Sequence, residues 1–181
     1  MKFNSRKRIA DIVYIAMCTA LMCICSLITI PFAVPFTLQT FAVFFSLLLL
    51  GGKRGALSIC AYIGLGLAGM PVFSGFMGGV AVIFGATGGY LIGFILAALI
   101  YLAAEKLFGE RKVVSLLSIS LGLLACYIFG SIWFMVLYIK NTGEIAFWTV
   151  LAQCVLPFVI PDVLKICLAF LLDKRLKKYI R

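Results

Sequence analysis

Long apolar runs alternate along this chain with short basic clusters. Lys2, Arg6, Lys7 and Arg8 precede an apolar run at residues 12–30, and residues 31–40 then carry no charge. A short run at 41–50 closes in Gly51-Gly52-Lys53-Arg54. A third run, 56–70, leads into an uncharged Gly-rich connection at 71–84. A fourth, 85–104, ends in Glu105, Lys106, Glu110, Arg111 and Lys112. The fifth, 113–139, is closed by Lys140 and Glu144, and the last, 148–172, ends in Asp173, Lys174, Arg175, Lys177, Lys178 and Arg181. A helical span needs roughly 20 apolar residues. The pattern therefore predicts six membrane-spanning helices.

Composition agrees. Of 181 residues, 65% are hydrophobic and 12% charged, with a mean hydropathy of +1.21. Soluble domains carry about 25% charged residues, so a water-soluble globule is excluded. The net charge of +10 would otherwise suggest nucleic acid, but the apolar runs make membrane lipid the surrounding partner. The expected organisation is one transmembrane substrate-binding domain over residues 1–181, with no room for an ATPase or enzyme domain.

The basic residues also orient the bundle. The N-terminus, the 53–54 and 105–112 loops and the C-terminus hold fourteen of the sixteen Lys and Arg, and the alternate connections hold only Lys140. Cytoplasmic loops are enriched in Lys and Arg, so both termini are expected on the cytoplasmic side of the cell membrane. The first run is too long for a secretory signal core and lacks a small-residue cleavage site after it. It reads as a retained first helix.

Two runs are short. Residues 41–50 reach a full crossing only by borrowing from 32–40, where Pro31 and Pro35 interrupt regular helix. Residues 56–70 are similarly brief before Pro71. Irregular backbone survives at membrane depth only when buried in protein or lining a cavity. The two uncharged outer connections are thus expected to fold back over a cavity open to the outside.

Several motifs reduce to packing. Gly64-Leu65-Gly66-Leu67-Ala68-Gly69 spells G-x-G-x-x-G, but no strand precedes it and no acidic residue follows at the required distance. Small-residue helix packing is the expectation. Gly51-Gly52-Lys53-Arg54 lacks the remaining parts of a P-loop. Gly85, Gly89 and Gly93 form a four-residue row on the fourth span, as Ala16 and Ala20 do on the first. Such rows serve internal packing or the docking of another membrane subunit. The seven cysteines all lie in apolar runs, and histidine is absent. Buried packing thiols are expected, with no metal or cofactor. Without His or a carboxylate pair, acid–base catalysis lacks its usual groups, so the chain is not expected to be an enzyme.

Asp162 and Lys165 stand apart. They lie inside the last apolar run, where a charge costs roughly 2.5–3.5 kcal/mol on insertion scales. Three residues apart, they share a helix face. They are either a self-neutralising pair that pins helix packing or the mark of a substrate or ion pathway. Pro161 is expected to kink the helix beside them and free the Pro157 carbonyl. Asp162 offers an acceptor for N–H groups, and Lys165 a donor to a carbonyl or carboxylate. Gln39, Thr37, Ser74, Thr87, Tyr90 and Gln153 add neutral polar groups. Phe36, Phe73, Tyr62, Trp133 and Phe158 supply apolar walls. Such a pocket suits a small, mostly apolar metabolite with a polar head.

Four stretches resemble the BioY family, the biotin-binding S components of energy-coupling-factor (ECF) transporters. They are Val34-Pro35-Phe36-Thr37-Leu38-Gln39-Thr40, Gly69-Met70-Pro71-Val72-Phe73-Ser74-Gly75, Thr87-Gly88-Gly89-Tyr90-Leu91-Ile92-Gly93-Phe94, and Pro157-Phe158 with Asp162-Val163-Leu164-Lys165. The resemblance covers nearly the whole chain, in order. It implies an all-α, six-helix S component that captures biotin, working with a membrane T component and two cytoplasmic subunits that hydrolyse ATP. It implies that Asp162 and Lys165 bind biotin, with Asp162 on a ureido N–H and Lys165 on the ureido carbonyl or the carboxylate. Gln39, Tyr90, Thr87, Phe73, Ser74 and Phe36 complete the expected site. Ala16 and Ala20 resemble the A-x-x-x-A surface that S components present to the T component. One departure is Ala86, where the family usually has Pro. Two other readings remain: a solitary proton-coupled carrier for biotin or another small vitamin, using Asp162 as its proton site, and a purely structural membrane subunit.

Overall fold

A computed structural model describes residues 2–31 and 34–180. Phe32 and Ala33 of the first outer connection and Arg181 of the C-terminal cluster lie outside the described residues, as do the side chains of residues 2–5, Lys2 among them, and of residue 180. The helices are α1 (Lys2–Leu27), α2 (Gln39–Leu50), α3 (Gly52–Leu67), α4 (Gly88–Phe108), α5 (Lys112–Asn141), α6 (Phe147–Cys154) and α7 (Leu156–Ile180). The α6–α7 pair occupies one expected span, so among the described residues seven α-helices make six apolar segments. Of these, α1, α4, α5 and the α6–α7 unit are long and apolar enough to cross a membrane. With these spans, the protein is a multi-pass membrane protein.

The two short runs resolve differently from the expectation. Helix α2 does not borrow from 32–38; it keeps 12 residues, about 18 Å at 1.5 Å per residue. The missing length is supplied by a two-stranded antiparallel hairpin, β1 (Thr29–Ile30) on β2 (Phe36–Thr37), with Ile30 opposite Phe36. This irregular stretch is tolerable because α2 is enclosed by the bundle: ten of its residues are buried. Helix α3 takes in Lys53 and Arg54 and ends at Leu67, so its basic pair sits in a first helical turn rather than in a loop. Gly51 alone joins α2 to α3 at φ 79°, a left-handed conformation that a residue with a Cβ adopts at a cost. Its N–H closes α2 on the Leu47 carbonyl.

The last span is interrupted at Val155 (φ −127°, ψ −59°), not at Pro161, which lies inside α7. The reason is local. Pro157 has no N–H to continue the α6 ladder. The Phe158 N–H instead bonds the Val155 carbonyl at 2.9 Å, which starts α7 afresh.

Helix α2 packs against α7, α3 and α1, while α5 lies along α4. Two glycines of the expected row serve the second contact. A Cβ on Gly93 would fall 2.9 Å from the Cys126 backbone, and one on Gly89 2.4 Å from the Trp133 side chain. Gly85 precedes α4 and takes no part in that helix face. In the G-x-G-x-x-G stretch only Gly66 permits a close approach: a Cβ there would overlap the Phe73 ring, whereas Gly64 faces open space. The cysteines also divide. All seven are free thiols, but Cys60 and Cys167 are exposed, contrary to the expectation that all would be buried. They sit on helix faces turned outward, where apolar side chains such as Ile12, Leu121 and Leu164 are also exposed. A membrane bundle presents such faces to lipid.

Candidate ligand-binding site

On α7 the buried positions are Phe158, Asp162, Lys165, Ile166 and Ala169. Their spacing of three and four residues forms one helical stripe, so the fold that buries Phe158 and Ala169 also turns both charges inward. Asp162 is 2% exposed and Lys165 6%. Lys165 Nζ lies 2.8 Å from Asp162 Oδ1.

The pair is not solitary. Lys165 donates to the Thr37 carbonyl at 2.7 Å and to Thr40 Oγ1 at 3.0 Å as well as to Asp162. It also lies 4.1 Å from the centre of the Phe36 ring. Three partners match the three ammonium protons. Asp162 accepts from Thr40 at Oδ1 (2.9 Å) and from the Tyr127 hydroxyl at Oδ2 (2.6 Å). A carboxylate has about four lone-pair sites, so Asp162 keeps acceptor capacity beyond these contacts. Three elements therefore hold the couple: the β2–α2 corner, α5 and α7.

Beside it lies a chamber enclosing about 670 Å³ of atom-free space, open mouth included. Asp162, Lys165, Gln39, Tyr90, Thr87, Phe73 and Ser74 all line it. Phe36 does not line it; it stacks on the lining residue Phe158 with ring centres 6.0 Å apart and supports the Lys165 ammonium from behind. Both uncharged connections contribute walls, Val34 and Pro35 from the first and Phe73 and Ser74 from the second.

The neutral groups are anchored from outside the chamber. Gln39 Nε2 donates to the Tyr62 hydroxyl at 2.8 Å, and Tyr62 donates to the Val72 carbonyl at 3.1 Å. Ser26 Oγ donates to the same carbonyl. Tyr62 meets Phe73 edge-on at 5.5 Å, and Phe73 fills the space left by Gly66. The helix break supplies another anchor. With the Phe158 N–H turned to Val155, the Cys154 carbonyl accepts from the Tyr90 hydroxyl at 3.2 Å. Ser74 meets Thr29 at 3.3 Å, which joins the second outer connection to β1.

Sequence reasoning overlooked Tyr127 and Thr40. Both were legible only as polar atoms in apolar surroundings, in the fifth run and at the edge of the second. Two residues named as contributors stand elsewhere: Gln153 is exposed, and Trp133 uses its indole N–H on the Gly85 carbonyl at 3.1 Å, away from the lining.

The chemistry is that of recognition. A buried carboxylate with a spare acceptor site, a buried ammonium, two tyrosines and an amide converge on a mostly apolar chamber. Such a chamber holds a small molecule by its apolar body and orients it by few polar contacts.

Comparison with known proteins gives a consistent picture. The family model described as BioY matches residues 1–181. The "Biotin transporter BioY" of Thermotoga maritima is 41% identical over 162 residues, 88% of this chain and 91% of that protein. The "Probable biotin transporter BioY" of Pyrococcus horikoshii is 41% identical over 144 residues, 80% of this chain and 81% of that one. Among solved structures, the 2.1 Å crystal structure of the S-component for biotin from an ECF-type ABC transporter superposes with a TM-score of 0.82 at 29% identity, covering 96% of this chain and 93% of that one.

Proposed function

The chain belongs to the BioY family, and from that premise we propose that it captures biotin as the S component of an ECF-type, ATP-driven transporter. Its work is binding and transport, not catalysis. The observation that carries this reading is the Asp162–Lys165 couple, buried yet lining a chamber.

Biotin's chemistry fits that arrangement. Its ureido ring presents two N–H donors and a carbonyl, its thiophane ring is apolar, and its tail ends in a carboxylate. Asp162 takes a ureido N–H on the acceptor capacity left by Thr40 and Tyr127. Lys165 takes the ureido carbonyl or the carboxylate by exchanging one of its present partners, of which the Thr40 hydroxyl is the longest contact at 3.0 Å. Phe73, Phe94 and Phe158 line the apolar part. Gln39, Thr87, Ser74 and Tyr90 supply the remaining polar contacts, and Phe36 backs the ammonium.

The transport partners are a membrane T component and two cytoplasmic ATPases. Ala16 and Ala20 are exposed on α1 beside Met17 and Ile24, a smooth apolar strip on which another membrane helix can pack closely. The distribution of Lys and Arg supports cytoplasmic termini. These features support one substrate-binding membrane domain over 1–181, with the ATP chemistry on other chains.

The direct test is whether the purified protein binds biotin stoichiometrically, and whether Asp162→Asn and Lys165→Ala weaken that binding while the protein stays folded. Unchanged affinity in both variants would reduce the couple to a brace between helices.

A further inference from the structure

A second recess opens at the other end of the bundle, where the basic clusters lie. Helix α5 follows α4 closely while α7 packs on α2, so α5 and α7 part and leave a groove of about 1,810 Å³ of atom-free space, open surroundings included. Leu116, Ile166 and Phe170 make its floor, and Arg111, Lys112 and Lys174 stand along its edge.

Much of the remaining charge there is already committed. Glu105 accepts from the Gly52 N–H at 2.6 Å. Lys177 donates to the Leu48 carbonyl at 3.2 Å and lies 3.8 Å from Asp173. Arg111, Lys112 and Lys174 are exposed at the edge together with Glu110, so the exposed charge lining the groove is net positive. The groove is continuous with the outward apolar faces of α5 and α7, where Leu117, Leu121 and Leu164 are exposed. An occupant must therefore be apolar where it enters from the hydrocarbon and anionic where it meets the edge.

We propose that this groove is a binding site for a phospholipid with an anionic head group. One acyl chain lies on the floor between α5 and α7, and the phosphate sits among Arg111, Lys112 and Lys174. Basic pockets between membrane helices recognise lipid head groups by this combination of charge and apolar wall. The site is separate from the chamber and from the α1 strip, so it does not depend on what either of those binds.

Cys167 lines the groove and is exposed, which provides a native probe. The full chain carrying Cys60→Ser is labelled at Cys167 with a fluorophore and reconstituted into phosphatidylcholine vesicles. These contain a minor fraction of brominated phosphatidylglycerol or of brominated phosphatidylcholine. Brominated phosphatidylglycerol should quench preferentially, and Arg111→Gln, Lys112→Gln and Lys174→Gln should each cut that preference about fivefold. In parallel, unlabelled, delipidated protein in detergent should retain phosphatidylglycerol over phosphatidylcholine by native mass spectrometry. Leu116→Trp, which fills the floor, should abolish that retention while the protein remains monodisperse. Equal quenching by the two lipids, or charge variants that match the native protein, would overturn the proposal. So would displacement of phosphatidylglycerol by inorganic phosphate, which would mean the site reads an anion without the chain. Quenching by neither lipid would show lipid excluded from the groove, as when a second copy covers it, and would equally overturn it.

Discussion

The hydroxyl of Tyr127, on α5, donates to Oδ2 of Asp162, on α7, at 2.6 Å. The two helices make few other close approaches, because α5 follows α4 and α7 follows α2. This bond ties Oδ2 of the carboxylate to the α5 wall of the chamber, while Lys165 and Thr40 hold Oδ1.

Tyr127→Phe removes the donor and leaves the ring. Hydrogen bonds to charged groups contribute about 1.5–3 kcal/mol, so biotin affinity should fall by roughly 10-fold or more. Isothermal titration calorimetry on the folded variant reads this directly. An affinity equal to that of the native protein would show that Tyr127 does not orient Asp162 for binding.

Breaking the ion pair should cost more than replacing it. Lys165→Ala leaves the Asp162 carboxylate buried without its cation, a loss of about 3–5 kcal/mol in comparable cases. The double variant Asp162→Asn/Lys165→Met removes both charges and should lose much less thermal stability, although it should bind no biotin. Thermal unfolding in detergent separates the two. If the double variant were as unstable as the single one, the geometry of the pair rather than its charge balance would govern stability.

Two glycines two residues apart on α3 should respond oppositely to alanine. At Gly66 an added Cβ would lie 2.0 Å from the Phe73 ring, while at Gly64 it meets nothing within 4 Å. Gly64→Ala should be neutral or stabilising by up to about 1 kcal/mol from helix propensity. Gly66→Ala must displace Phe73 from the chamber wall, so it should lower both the melting temperature and biotin affinity. Equal behaviour of the two variants would contradict the packing described here.

Tyr62→Phe tests the chain of bonds from Gln39 to the second outer connection. It strips the partner of Gln39 Nε2 and one of the donors to the Val72 carbonyl. Leaving a buried polar group unsatisfied costs about 1–3 kcal/mol. Loss of stability together with a faster biotin off-rate is expected, since the connection carrying Phe73 and Ser74 is then held by Ser26 alone at Val72. An unchanged off-rate would separate Tyr62 from the hold on that connection.

Ala16→Leu and Ala20→Leu should leave biotin binding to the purified chain unchanged, because both side chains face outward on α1. Uptake in cells that supply the ATPase module should fall sharply. Retained uptake in the double variant would move the docking surface elsewhere.

The apolar runs alone determined that this is a helical membrane bundle, and the inward turn of Asp162 and Lys165 followed from their position in the last run. Burying a charge in hydrocarbon is so costly that such residues must face the protein interior whatever the details of the fold. Backbone period and lipid thickness are local constraints, and a one-dimensional pattern expresses them fully. The sequence also named half of the chamber lining, nine of its eighteen residues, because neutral polar residues in uncharged, proline-broken connections have few other places to go.

What the pattern did not contain is decided by helix crossing. Tyr127 reaches Asp162, and Thr40 bridges both members of the couple, only because α5 and α2 converge on α7 at one depth. Hydropathy does not encode that convergence, since Tyr127 reads as one more ring in an apolar run. The break at Val155 rather than Pro161 depends on which carbonyl finds another donor: Cys154 has Tyr90, supplied from α4. The twelve-residue α2 persists because neighbours enclose it and a hairpin completes its length. Contacts between residues 35 to 125 positions apart are set by how side chains interlock across helices, and only the folded chain carries that information.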